Sequence, residues 1–253
     1  MQNTKLYKRE KYLAKIRAFY HDTDIIKVIS GTRRCGKSCL MQMIAEELET
    51  AGIAKDNIFF YNLDRYGYKG IRTADDLEKL LFQKAYPSGT KYIFIDEIQN
   101  VEGFESVLNE LREEGEYSIF ITGSNSYLLS GELATKLTGR YIEFELFTLT
   151  FDEYIGMKKM YGKQISERLE EELDSYILEG GFPRAVQYDQ LEDKRTYVRS
   201  VIDEIFEKDI RRRVQIRHRD TFDKVQTFIL NNFGATMSLS NILEELEKEG
   251  IHI

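Results

Sequence analysis

Residues 31–38 read GTRRCGKS and fit the pattern G-x-x-x-x-G-K-[ST] at every fixed position. The setting matters as much as the match. Ahead of it, residues 24–30 carry Ile25, Ile26, Val28 and Ile29, a short β-branched run that predicts a buried strand. Behind it, Met41, Ile44, Ala45 and Leu48 recur at helical spacing, which predicts a helix over 37–50 with one apolar face. A strand, a glycine-bearing turn and a helix in this order leave little freedom. The turn curls its amides together, and the helix begins with its positive end facing them. Such a curl suits phosphate. Gly31 and Gly36 permit the backbone path, Lys37 reaches the β- and γ-phosphates of a nucleotide, and the Ser38 hydroxyl ligates Mg²⁺. The candidate cradle comprises Gly31, Thr32, Arg33, Arg34, Cys35, Gly36, Lys37, Ser38 and Cys39.

The pattern repeats along the chain. Residues 57–63 (NIFFYNL), 91–95 (KYIFI), 116–121 and 141–146 predict four more strands. Between them, Thr73 with Asp76 marks a helix start, and Phe104, Val107, Leu108 and Leu111 mark a further helix. Leu13, Ile16 and Tyr20 make residues 1–22 an amphipathic helix. Strands alternating with helices predict an α/β fold: an αβα sandwich with a five-stranded, mostly parallel sheet. After residue 147 the pattern turns helical. Thr150 and Glu153 form a candidate capping box, and Leu169/Leu173/Tyr176/Ile177 and Val198/Val201/Ile202/Ile205 form apolar stripes. The expected organisation is a core over 1–149 including the N-terminal helix, an all-helical lid over 150–220, and the start of a winged-helix-like unit over 221–253, with a turn at 231–234.

Further candidate residues fall at strand ends. YIFIDE (residues 92–97) puts Asp96 and Glu97 where open α/β sheets bind ligands. Asp96 there would hold Mg²⁺ through water, and Glu97 would orient or deprotonate an attacking water. ITGSNS (residues 121–126) offers Ser124 and Asn125 as alternative contacts to the γ-phosphate or the water; a locally hydrogen-bonded turn is the plainer reading. Arg140 is either an exposed loop arginine or a charge donated across a subunit interface. GGFPRAV (residues 180–186) reads either as a helix C-cap followed by a proline-started helix, or as a lid element with Pro183 on adenine and Arg184 on the γ-phosphate.

Composition removes several classes. With 36 basic and 43 acidic residues the net charge is −7, against a surface that coats nucleic acid by counterion release. The arginine-rich stretch at 209–220, ahead of a helix-turn-helix-like segment, keeps a local DNA contact in view, but acidic residues lie directly upstream and a solvated helix face is the simpler reading. Two cysteines, Cys35 and Cys39, make no disulfide framework, no apolar run approaches the ~18 residues of a membrane span, and no secretion signal is visible. A soluble, cytoplasmic protein without a membrane partner is expected. The three histidines lack metal-ligand spacing. Without an N-K-x-D motif GTP is disfavoured, and LLSGEL (residues 128–133) is a poor match to a transporter ATPase signature.

Taken together and in this order, GTRRCGKS, DEIQN, TGSNS, TGRY and GGFPRAV resemble the AAA+ ATPases, and within them a prokaryotic group of predicted ATPases close to the STAND-type switches. The likeness covers residues 25 to about 186, and more weakly on to 253. It implies ATP and Mg²⁺ as cofactors, a nucleotide held between core and lid, Arg184 as the lid's sensor arginine, and a homo-oligomer if Arg140 acts on a neighbour. It also implies a complete winged helix and a further domain, whereas this chain stops inside what looks like the beginning of the winged helix, as a fragment of a longer protein would. A protein or DNA partner would then use the C-terminal segment. The alternative within the resemblance is a slow switch that holds ATP or ADP and turns over rarely.

Overall fold

The computed structural model of the chain describes residues 6–82, 86–123, 137, 139–211, 219–232, 234, 236, 238–248 and 250. They form two compact units, Met1–Ile205 and Phe206–Ile253. In the first, strands β1 (Ile26–Ser30), β2 (Ile58–Asn62), β3 (Lys91–Asp96), β4 (Tyr117–Thr122) and β5 (Tyr141–Glu145) make one sheet in the order β2-β3-β4-β1-β5. Every neighbouring pair is parallel. Helices α1 (Glu10–Ile16), α2 (Lys37–Thr50), α3 (Ala74–Phe82) and α4 (Phe104–Glu113) cover it. The αβα sandwich and its five-stranded parallel sheet agree with the alternation of strand and helix patterns.

The period of two within each strand sorts the layers. Ile26, Val28, Ile93, Ile95, Ile119 and Ile121 pack on one face against Leu77, Leu81, Phe104, Val107, Leu108 and Leu111 of α3 and α4. Ile29, Phe94 and Phe120 face the other way, onto Leu13 and Ile16 of α1 and Leu40, Met41, Ile44 and Leu48 of α2. Phe60, Phe94 and Phe120 stack across three strands at 4.6 Å between successive ring centres. Every residue of β1, β3 and β4 is buried, which is why these segments read as continuous apolar runs. Lys27 is a charged residue fully buried among them. Its ammonium lies over the Phe120 ring and bonds Ser118 Oγ and the Ile25 carbonyl at 2.9 Å, and burial pulls its pKa down to about 7.

Beyond the sheet, α5 (Phe151–Met160), α6 (Leu169–Glu179), a 3-10 turn (Pro183–Gln187) and α7 (Leu191–Ile205) belong to the same compact unit. The Thr150–Glu153 capping box is formed, with Thr150 accepting from the Glu153 amide and Glu153 accepting from the Thr150 amide. Leu149, Tyr154, Met157 and Val186 make a small core here. In the second unit, α8 (Arg219–Asn231) and α9 (Leu239–Lys248) meet through Phe228 and Leu246, with Val225 and Ile242 beside them. Residues 212–218 of the arginine-rich stretch lie outside the described residues. Among the described residues no helix is long and apolar enough to cross a membrane.

Candidate functional site

The GTRRCGKS turn leaves the C-terminal end of β1 and enters α2 at Lys37. Its backbone takes positive φ at Gly31 (145°), Arg34 (66°) and Gly36 (111°), so the chain curls instead of running straight into the helix. Gly31 has no room for a side chain. A Cβ there would come within 2.2 Å of the Leu146 carbonyl oxygen, because the chain leaving β5 is bonded to β1 through Leu146 N–H and Ser30 O at 2.8 Å. We expect Gly31→Ala to destabilise the fold by roughly 2 kcal/mol or more, through the clash and the forced φ, read as a lowered melting temperature. The α2 N-terminus has no side-chain cap at Gly36, so no capping oxygen competes there for its leading amides. Lys37 is buried and curls back over the turn, donating to the carbonyls of Gly31 at 2.8 Å and Thr32 at 3.1 Å. Cys35 packs into the core with α1 and α2, so it offers the turn only backbone, while Cys39 is exposed.

Ser38 Oγ donates to Asp96 Oδ2 at 2.7 Å, bringing the end of β3 against the first turn of α2. The carboxylate is braced further. Asn62, at the end of β2, donates to Oδ2 at 2.6 Å, and the Thr122 hydroxyl, at the end of β4, donates to Oδ1. Thr122 Oγ1 also accepts from the Glu97 amide at 3.0 Å. Glu97 itself sits at φ 61°, a left-handed conformation that costs a non-glycine residue about 1 kcal/mol. Gln99 Nε2 donates to the Glu97 carboxylate. Thus Lys37, Ser38, Asp96 and Glu97 are brought together at one sheet edge, by strands that are not all neighbours: β4 separates β1 from β3.

Hydroxyl and carboxylate oxygens are the hard donors that suit Mg²⁺. No group of three His, Cys, Asp or Glu residues able to hold a metal occurs among the described residues. An ion beside Ser38 and Asp96 would therefore share its shell with phosphate oxygens and water, the usual habit of Mg²⁺.

The GGFPRAV segment comes close to the turn. Gly181 O accepts from Leu149 N at 2.7 Å, and Pro183 Cγ lies 4.0 Å from the point a Cβ on Gly36 would occupy. Arg184 is exposed, and the Tyr188 side chain beside it raises its pKa. On α7, Glu204 pairs with Arg34 at 3.3 Å. Burial raises the pKa of Tyr197, and the charges of Arg34 and Arg184 oppose that rise, so α7 faces both arginines. Arg33 is half-buried beside them in the turn. Arg140 is elsewhere. Its carbonyl accepts from Ile26 N, at the start of β1, and its guanidinium reaches Asn109 of α4 at 3.1 Å. The five-residue length of β1, about 16 Å, separates it from its own chain's phosphate turn. Ser124 and Asn125 lie outside the described residues.

Motif reading passed over Asn62, Thr122 and Gln99. Each had a positional signal, since Asn62 and Thr122 close strands at the ligand-binding edge and Gln99 follows the acidic pair by two.

A family model described as an AAA domain matches residues 23–155, more than half of the chain. The chain belongs to that AAA family. A second model, a domain of unknown function, matches residues 170–251. An uncharacterized protein of Haemophilus influenzae is 38% identical over 96% of this chain, and one of Methanocaldococcus jannaschii is 32% identical over 88%. The chain spans 60% and 50% of the lengths of these relatives. Among solved structures, AMPPCP-bound DnaA from Aquifex aeolicus is similar over 91% of this chain and 71% of that one, at 14% identity and a TM-score of 0.45. A DNA replication initiation factor is similar over 93% and 73%, at 15% identity and a TM-score of 0.44. The AAA domain is a nucleotide-binding ATPase fold, so the resemblance drawn from the motifs holds at the level of family.

Proposed function

We propose that this AAA domain binds ATP with Mg²⁺ and hydrolyses it, and that the nucleotide couples the core to the lid. The observation that carries the reading is the 2.7 Å contact between Ser38 and Asp96, with Lys37 on one side and Glu97 on the other. In this reading the curled amides and Lys37 hold the phosphates, and Ser38 and Asp96 hold the ion. Glu97 takes the proton of the attacking water. Mg²⁺, when bound, would offset the charge on the β- and γ-phosphates. Pro183 flanks the base and Arg184 turns from Tyr188 towards the γ-phosphate, so that closing the lid completes the site. Arg140, on the far edge of the sheet, would serve a neighbouring copy, with a homo-oligomer as the assembled form.

One observation favours a second reading, a slow switch whose output is protein or DNA binding through the C-terminal segment. The Glu97 carboxylate is already engaged by Gln99, and a base held in that way turns over slowly. Steady-state hydrolysis with Mg²⁺, measured over a range of protein concentrations beside equilibrium ATP binding, separates the two. A rate rising faster than linearly supports the assembled ATPase. Tight binding with negligible turnover at every concentration supports the switch. No binding of ATP or ADP rejects both.

A further inference from the structure

Arg9 is buried, with 3% of its surface exposed, and stands immediately before α1. Arginine has five N–H donors, and here each has an acceptor. Nε and Nη2 grip the two oxygens of Glu153 at 3.0 and 2.6 Å. Nη1 donates to the carbonyls of Phe147 at 2.7 Å and Cys35 at 3.3 Å, and Nη2 donates to that of Thr148 at 3.2 Å. The guanidinium also lies 4.6 Å above the Tyr12 ring, whose hydroxyl accepts from the Phe147 amide. Burial pushes the Glu153 carboxyl up. The Arg9 hydrogen bond and the Thr150 amide outweigh this and leave it below the usual carboxylate range, so the pair is ionised.

These acceptors are three places where the chain has to bend. Cys35 lies between Arg34 and Gly36, both at positive φ, inside the phosphate turn. Phe147 and Thr148 form the passage from β5 to the lid, and Glu153 caps the lid's first helix. If the amides of the turn converge on phosphate, the Cys35 carbonyl must point away from it, and Arg9 receives it there. A planar fork can serve the two-oxygen grip and three carbonyls at once; a lysine, with three donors on one atom, cannot.

We propose that Arg9 is a positioning residue that fastens the phosphate turn to the passage into the lid, so that the two move as one unit. The proposal rests on the nucleotide-binding reading above. Its central claim, a mechanical link between residues 31–36 and 147–153, can nevertheless be read without nucleotide.

Amide hydrogen exchange on the nucleotide-free protein is the test, comparing wild type with Arg9→Lys and Glu153→Gln. The hydrogen bonds of the Glu153 carboxylate go to Arg9 and to the Thr150 amide, so Glu153→Gln acts on the turn through Arg9 and leaves the Leu146–Ser30 bond in place. Both variants should speed exchange in peptides covering residues 31–40 by about tenfold, together with those covering 146–153, while peptides from β3 and β4 stay at the wild-type rate. ATP affinity should fall by about the same factor at an unchanged β3–β4 exchange rate. Exchange that quickens only at 146–153, with the turn at the wild-type rate in both variants, would overturn the link. Should Arg9→Lys fail to fold, Glu153→Gln alone carries the same comparison. Failure of the wild type to bind ATP would reject the nucleotide reading and leave the exchange result standing on its own.

Discussion

Replacing Lys37 with alanine is expected to lower ATP affinity by roughly a hundredfold or more, near 3 kcal/mol, since a charge-assisted contact to two phosphates is lost. The reasoning starts from burial. Lys37 is 5% exposed, and its ammonium already lies inside the curl, held by the carbonyls of Gly31 and Thr32. That spares it most of the desolvation cost on meeting an anion. It also means that alanine leaves two turn carbonyls short of a donor. Lys37→Met is the useful control, because it keeps the stem and removes only the charge. Calorimetric titration with ATP and Mg²⁺ reads the effect, and both variants should fall together. Affinity within threefold of wild type in Lys37→Met would show that the ammonium does not meet the phosphates.

Glu97→Gln should behave differently: ATP affinity within about twofold of wild type, and hydrolysis slowed by 10²–10⁴-fold, the usual contribution of a positioned base. Glutamine keeps the size of the side chain and can still pair with Gln99, and the Thr122–Glu97 amide bond does not involve the side chain. The backbone strain at φ 61° is therefore unchanged, and the loss isolates the proton acceptor. Single-turnover hydrolysis is the measurement. A variant that hydrolyses as fast as wild type would remove Glu97 from the reaction. Asp96, two-sided in its bracing by Asn62, Thr122 and Ser38, would then have no adjacent base.

Much of the architecture was legible in the chain itself. Apolar runs or apolar–polar alternation marked all five strands, and the helices of the sandwich followed from spacing at three and four, because burial on one face or two leaves a period that a single sequence displays. The Thr150–Glu153 cap was legible for a similar reason, since a capping box spans only three residues. The phosphate turn was legible as well, because its glycines answer to backbone angles and to a carbonyl that leaves no room for a Cβ.

What local pattern could not show is the company these residues keep. Nothing near Asp96 in the chain announces that Asn62 and Thr122 brace it; they arrive from strands on either side of β3. Arg140 stands in the TGRY motif on paper, yet the parallel sheet carries it to the edge opposite the phosphate turn. Arg9 is the plainest case. It reads as one more charge within the amphipathic helix expected over residues 1–22, and its five acceptors come from positions 35, 147, 148 and 153. Periodicity and turn chemistry act over a few residues, so a single chain displays them. The hydrogen-bonding of a buried guanidinium is set by whichever carbonyls the packing turns inward, and those exist as a group only once the sheet and the helices after β5 have packed around it.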